Sequence, residues 1–248
     1  MCLNDQVLSK NHRIVELGKE IQQLPGYKLY YQDLKGLEIS LYIFTRNYTD
    51  LSNIIAFITT DPRAAMLYYV ENRNRLEHFA YDVVCRIHNY VAASKSLVDH
   101  THNLYGKLYE DNNLFPEYQE RIDTDFKFDP LSKFVQDLRR YCQHFKSPIV
   151  MFRTTLDSNG NPIRDISIPL GDLQTFKDWS APAKKYLRTI QEKVDVLEVA
   201  TAYRDKVITF HNWFRTRQEE IHAVELKELD DKKDELRLLM GGSYIPPA

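Results

Sequence analysis

Residues 63–105 contain neither glycine nor proline. These two residues are the usual punctuation of a chain. A run this long without either is what long helices need and what a set of short strands and tight turns cannot use. The same economy holds throughout, with 8 Gly and 10 Pro in 248 residues. Asp61-Pro62 at the head of the run reads as a helix start, because Asp caps free N–H groups and Pro is pre-set for the first helical position. Leu76, Phe79, Ala80, Val83, Ile87, Val91, Ser94 and Val98 then recur at helical spacing. The face beside that stripe is polar and carries Arg75, His78, Asp82, Arg86 and Asn89. A core helix needs one apolar face, so a polar stripe this regular faces water or a site.

The remaining elements follow from the same signals. An amphipathic segment from about Asn4 to Leu24 stops at Pro25-Gly26. A second apolar-periodic stretch from about Gln32 to Thr59 carries Leu37, Leu41, Phe44, Tyr48, Leu51, Ile55 and Ile58. Asp111-Asn112-Asn113 breaks the chain, and a short element follows near Glu117 to Asp123. Asp129-Pro130 repeats the capping signal for a helix that buries Leu131, Phe134, Val135, Leu138, Cys142 and Phe145 and ends before Ser147-Pro148. The β signal is a hairpin: Ile149–Thr155 and Ile163–Ile168 flank Asp157-Ser158-Asn159-Gly160-Asn161-Pro162, and Asn-Gly between β-prone runs is the strongest short hairpin cue. Asp172–Trp179 reads as a short helix. Ser180-Ala181-Pro182 opens a further long helical region through Leu187, Ile190, Val194, Leu197, Val207, Phe210, Trp213 and Phe214. Glu225–Arg237 reads as a solvated, charged helical tail.

The expected fold is mainly α: a bundle of long antiparallel helices with a β-hairpin appendage. The expected organisation is a helical core over 1–146, a hairpin insertion over 147–170, and C-terminal helices with a charged tail over 171–248.

Composition narrows the function. With 43% hydrophobic and 27% charged residues the balance is globular. The net charge of −2 excludes a protein that coats nucleic acid through a broad basic surface and leaves only local, pocket-like contact. Cys2, Cys85 and Cys142 are too few and scattered for a disulfide framework and lack the spacing of a zinc site. Neither a signal peptide nor an apolar run long enough to span a bilayer is visible, so no membrane association and a cytoplasmic location are expected. Phosphate-binding glycine loops, nucleophile elbows and His-Glu-x-x-His are absent. Cys85 and His88 share a helix face but lack a second pair. His100 and His102, two apart, point away from each other and read as polar surface. No metal and no cofactor is expected.

The candidate chemistry lies in Arg139-Arg140-Tyr141-Cys142-Gln143-His144. Arg140 and His144 are four apart and share one helix face. Arginine offers a fixed fork of donors suited to phosphate, and histidine moves a proton near neutrality. Those two abilities are the minimum for cleaving RNA by its own 2′-hydroxyl. A second copy, Arg73-Asn74 to His78, lies in the long polar stripe. The bland alternative is a surface arginine paired with Asp137 and a histidine at a helix C-terminus.

On a helix opened by Asp-Pro and closed by Ser-Pro, the motif resembles the Arg-x4-6-His signature of the HEPN superfamily, over about residues 33–145. The position after the arginine, commonly Asn, Asp or His in that family, is Arg140 here. The resemblance implies a helical bundle that dimerises with the motifs of two protomers facing one cleft. It implies a metal-independent ribonuclease of a toxin–antitoxin or antiphage system, with RNA (tRNA among the targets) as substrate and an antitoxin or defence protein as partner. Carried over, Arg139 holds the scissile phosphate and His144 is the acid or base. Arg140 and Tyr141 support the substrate, and Arg73, His78, Asp82, Arg86, His88 and Asn89 line the same cleft. Two other readings stay open: a non-catalytic helical binding or scaffold module (antitoxin, adaptor or sensor), and a structural protein whose helices mediate oligomerisation.

Overall fold

A computed structural model describes residues 3–242, so Cys2 lies outside the described residues. In chain order the elements are α1 (Leu3–Gln23), α2 (Pro25–Lys28), a π turn (Leu29–Leu34), α3 (Lys35–Thr60), two 3-10 turns (Pro62–Tyr68 and Val70–Asn72), α4 (Arg73–Tyr109) and α5 (Glu117–Ile122). A second π turn (Asp123–Lys127), α6 (Pro130–Arg140) and a third π turn (Tyr141–Phe145) lead to β1 (Met151–Leu156) and β2 (Pro162–Pro169). Then come α7 (Leu170–Leu173), α8 (Ala181–Leu187), β3 (Lys193–Asp195), α9 (Val196–Ile221) and α10 (Ala223–Leu239). The fold is mainly α with a small antiparallel sheet, as the sparse glycine and proline imply.

Three local expectations need correction. The run after Asp61 does not open as α-helix. Asp61 caps as expected, accepting from the Arg63 N–H, but what it caps is a 3-10 turn. Tyr69 then adopts an extended backbone, and α4 begins only at Arg73. The stretch after Asp172 is helical only to Leu173, and the Trp179 indole donates to the Leu173 carbonyl at 2.9 Å across the irregular turn that follows. The region from Ser180 to Phe214 is not one helix. β3 interrupts it and pairs with β2 (Ser167↔Asp195, Ile168↔Val194, Pro169↔Lys193), so the hairpin becomes a three-stranded sheet in the order β1-β2-β3. Val194, a helical core position by its spacing, is buried from a strand instead.

Contacts divide the chain into two compact units, one comprising Ser40–Asn212 and the other joining the chain ends up to Ile39 and from Trp213 onward. In the unit of chain ends, Leu17 and Ile21 of α1 bury against Leu229 and Leu236 of α10, with Tyr27 and Tyr30 packed beside them. Gly26 is required there by close approach, since a Cβ on it would stand 2.2 Å from the Glu225 carbonyl oxygen. Arg13 bridges Glu20 and Glu235, and Lys233 lies over the rings of Tyr30 and Tyr31.

In the larger unit the core is aromatic. Phe44, Tyr90 and Tyr203 meet between α3, α4 and α9, and the Tyr90 hydroxyl donates to the Ala200 carbonyl at 2.9 Å. The hairpin turns at Gly160, whose φ of +81° favours glycine, and the Asp157 carboxylate accepts from the Asn159 and Asn161 N–H groups. Among the described residues no helix is long and apolar enough to cross a membrane.

Candidate functional site

α6 starts where its sequence says it should. The Asp129 carboxylate accepts from the Ser132 N–H at 2.8 Å and the Ser132 hydroxyl at 2.7 Å, and Pro130 occupies the first turn. Lys206 of α9 ion-pairs with Asp129 at 2.8 Å. Burial alone would raise the Asp129 pKa, but the Lys206 ammonium and the Ser132 donors outweigh it and hold the group below the usual carboxylate range. Phe134, Val135 and Leu138 bury one face. After Arg140 the α-helix widens into the third π turn, closed by the Lys146 N–H donating to the Tyr141 carbonyl at 3.0 Å. Turns of this kind recur at functional sites because they re-aim the side chains that follow.

Below this turn lies a dense aromatic floor. The Phe134 ring stacks on Trp179 at 5.4 Å and on Tyr186 at 4.8 Å, while Tyr141 and Phe176 close around Trp179. Tyr141 is fully buried, and its hydroxyl donates to Asp172 at 2.7 Å. Asp172 also accepts from the Lys146 ammonium and from the Ile149 N–H at 3.0 Å. Burial works to raise the Asp172 pKa, and these three donors together bring it below its ordinary value. Burial and the Asp172 carboxylate push the Tyr141 phenol up, and burial pushes the Cys142 thiol up to about 12, so Cys142 is a packed thiol and no nucleophile.

Above the floor is an open groove lined by Arg140, His144, Phe145, Thr175, Phe176, Lys177 and Asp178. Arg140 and His144 are therefore together, as their spacing implies. The Arg140 guanidinium donates twice from Nη2, to Asp137 Oδ1 at 2.7 Å and to the Asp178 carbonyl at 2.8 Å. Asp137 is buried, and its other oxygen accepts from the Ser180 N–H at 2.7 Å, which ties α6 to the start of α8. The guanidinium plane is thus fixed from one side, with its Nε and Nη1 edge turned to neither partner. The Phe145 ring lies 5.4 Å from Phe176 and is half exposed. A fixed fork of donors, an imidazole, an ammonium and an exposed ring in one groove suit a phosphodiester with an adjoining base.

The other candidate residues lie elsewhere. Arg139 is half-buried, its Nε is enclosed without a hydrogen-bond partner, and it does not line the groove. Tyr141 supports the groove from beneath and does not open into it. Arg73, His78, Asp82 and Asn89 on α4 are exposed, Arg86 and His88 are half-buried, and none of the six lines the groove. Arg86 pairs with Asp82 one turn away, and His78 sits edge-on to Tyr81. These are local contacts of a solvated face.

Sequence reasoning missed Phe145 as a surface ring, Lys177 and the anchor Asp178, whereas an arginine paired with Asp137 is the bland alternative that it named and that Arg140 makes. The Asp-x-x-Arg spacing of Asp137 and Arg140 was visible, but the 174–178 segment that completes the groove has no periodic signal. His100 is exposed, as its spacing implies, and its Nδ1 also shares a 2.6 Å hydrogen bond with the buried Ser40 hydroxyl. Among the described residues no three His, Cys, Asp or Glu side chains cluster closely enough to hold a metal ion. No family model, no curated protein and no solved structure matches the chain.

Proposed function

We propose that the groove at the end of α6 binds RNA and cleaves it without a metal ion, in the manner the HEPN resemblance implies. The observation that carries this reading is the meeting of Arg140, His144, Lys177 and the Phe145 ring in one open groove. In the proposed reaction the guanidinium edge of Arg140 and the Lys177 ammonium hold the non-bridging phosphate oxygens. Phe145 stacks the adjoining base. His144 takes the proton from the 2′-hydroxyl or returns one to the departing 5′-oxygen. The 2′-oxygen forms the new bond to phosphorus and the P–O5′ bond breaks, leaving a 2′,3′-cyclic phosphate and a 5′-hydroxyl. One groove offers one imidazole for these two transfers, and a homodimer that places two grooves face to face supplies the second. The phosphate role thereby falls on Arg140 more directly than on Arg139. Inhibition of cell growth, in a toxin–antitoxin or antiphage setting, is the biological form this activity takes.

The second reading is a non-catalytic RNA-binding or adaptor module. It is favoured by the single imidazole per groove and by the two bonds that already occupy Arg140. Incubation of purified protein with total RNA and tRNA in EDTA, beside His144→Ala and Arg140→Ala, separates the two. The catalytic reading expects cyclic-phosphate ends from the wild type alone, with both variants folded. Binding without cleavage by a demonstrated dimer establishes the module, and absence of both removes the RNA reading.

A further inference from the structure

The sheet, in the order β1-β2-β3, has an outer edge at each side, and the two are not alike. β3 is three residues long and runs straight into α9, so it offers little to a further strand. β1 is six residues long. Its register on β2 is unbroken from Met151↔Ser167 to Leu156↔Pro162, so no bulge turns it aside, and it holds no proline. Its one charge, Arg153, is taken up by Glu192 at 2.6 Å. The devices that keep a strand edge from pairing are absent from β1 among the described residues.

The hairpin turn fixes which backbone groups that edge presents. The Asp157 N–H donates to the Asn161 carbonyl at 2.9 Å. Bonded pairs alternate along an antiparallel ladder, so counting back from this one Thr155, Arg153 and Met151 turn their N–H and C=O to β2. Phe152, Thr154 and Leu156 turn theirs outward. Pro162 agrees with this parity, because it stands opposite Leu156 in a pair that uses no N–H. Among the described residues none of the outward groups bonds to another element. The same three side chains share one face of the strand. Phe152 packs on Phe79 of α4 at 5.9 Å, whereas Thr154 is exposed and Leu156 is 70% exposed.

We propose that β1 is a dimerisation edge and pairs antiparallel with β1 of a second copy across a two-fold axis at Thr154. An open edge can add a strand from any extended chain, but the register of this one matches itself. With Thr154 facing its own copy, Phe152 faces Leu156 of the partner subunit, and the outward N–H and C=O groups of all three residues are matched at once. The same register sets a ring against an exposed leucine on one face. On the other it sets Arg153 against Thr155 of the partner subunit, so no like charges stand directly opposite. Arg153 is already neutralised, which leaves the edge no charge with which to select a charged peptide. Pairing about a two-fold axis also uses up both free edges and closes, whereas β1 on the short β3 of a neighbour would propagate. The edge is separate from the groove, none of whose lining residues is on β1, and it stands whether or not RNA binds there.

The test is sedimentation equilibrium of the full-length protein, with thermal melts to establish that each variant is folded. The wild type is expected to dimerise. Thr154→Pro takes a donor from the edge of each protomer and none from the β1–β2 ladder, and should weaken the dimer about ten- to a hundredfold. Leu156→Asp sets a carboxylate against Phe152 of the partner subunit and should weaken it about tenfold. The RNA reading also uses a homodimer, so these variants, and not dimerisation alone, identify the surface. Cross-linking reads the register directly. In a Cys2→Ser, Cys85→Ser background, Thr154→Cys should form an intermolecular disulfide under mild oxidation, since directly opposite residues of a bonded pair lie about 5.5 Å apart at Cα. Thr155→Cys, offset from its own copy, should cross-link far more slowly. A monomer at every concentration, a dimer unmoved by both folded variants, or equal cross-linking at the two positions each overturns the proposal. Where a variant melts early, the cross-link alone decides.

Discussion

Removing the carboxylate of Asp172 is the sharpest way to ask what holds the floor of the groove in place. Three donors converge on it: the Tyr141 hydroxyl at 2.7 Å, the Ile149 N–H at 3.0 Å and the Lys146 ammonium. They come from the π turn, the approach to β1 and the extended residue between them, so one side chain on α7 fixes the whole exit from α6. Hydrogen bonds to a charged acceptor are each worth about 1.5–3 kcal/mol, but the three are not additive. Lys146 is about one-third exposed and recovers hydration, whereas Tyr141 is fully buried and cannot. Asp172→Ala should therefore cost about 3–5 kcal/mol, the range for breaking a buried pair by deleting one partner, and lower the melting temperature by roughly 10 °C for a chain of this size.

The pH dependence has a definite sign. The folded-state pKa of Asp172 is below its unfolded value, so its contribution is full above the unfolded pKa and is lost as pH falls through the folded one. The gap between wild type and Asp172→Asn should narrow below roughly pH 4. Urea unfolding of wild type, Asp172→Ala, Tyr141→Phe and the double variant measures this directly. A loss under about 1 kcal/mol, or no coupling between the two positions in the cycle, refutes the argument.

His211→Gln should flatten the acid limb of stability. Burial lowers the His211 pKa to about 4, so the unfolded chain binds an extra proton between about pH 6.5 and 4, and wild type should lose about 3 kcal/mol across that interval by urea titration. Gly26→Ala puts a Cβ against backbone, 2.2 Å from the Glu225 oxygen and 2.9 Å from its carbon. It should cost roughly 1–3 kcal/mol, with faster amide exchange in the 25–34 and 225–236 segments. Asp137→Asn leaves one acceptor for two donors, so the new NH2 faces either the Arg140 guanidinium or the Ser180 N–H. It should lower stability by about 1–3 kcal/mol and, by loosening the strut that orients Arg140, weaken RNA binding in a filter assay.

Much of this architecture is written in local chemistry. The Asp129 and Ser180 caps, the Gly160 turn and the α6 core stripe all fall where residue type and spacing put them, because each depends on neighbours in sequence. The failures share a cause. β3 is three residues long and exists because Ser167, Ile168 and Pro169 of β2 offer it an edge; helical spacing of apolar residues across 187–214 hides it. The delayed start of α4 depends on one extended residue, Tyr69, which carries no glycine or proline to announce it. In the groove, Arg140 and His144 were legible as a pair, whereas Lys177 and Asp178 arrive from a segment with no periodicity. Which of Arg139 and Arg140 lines the groove was not legible either: residues adjacent on a helix point about 100° apart, and only the packing puts Arg140 on that lining.

The charge balance of the chain sets a last, quantitative expectation for the RNA reading. With 33 basic and 35 acidic residues there is no surplus of cations for dispersed phosphate contact. The only fixed positive charges on the groove lining are Arg140 and Lys177, with His144 as a third when protonated. Each phosphate neutralised on a single strand contributes about −0.7 to the slope of log K against log salt. Two contacts give about −1.4, and three give about −2.1 once His144 carries a proton. Fluorescence-polarisation titrations of a short single-stranded RNA between 50 and 250 mM salt should fall in that interval, and Lys177→Ala should reduce the slope by about 0.7. A slope steeper than about −3 would place the RNA on a surface much larger than this groove, because the groove has no further cations to give. A slope near zero would mean that no phosphate is held at all, and Arg140 would then be what its two bonds to Asp137 and Asp178 already make it, a strut between α6 and the segment before α8.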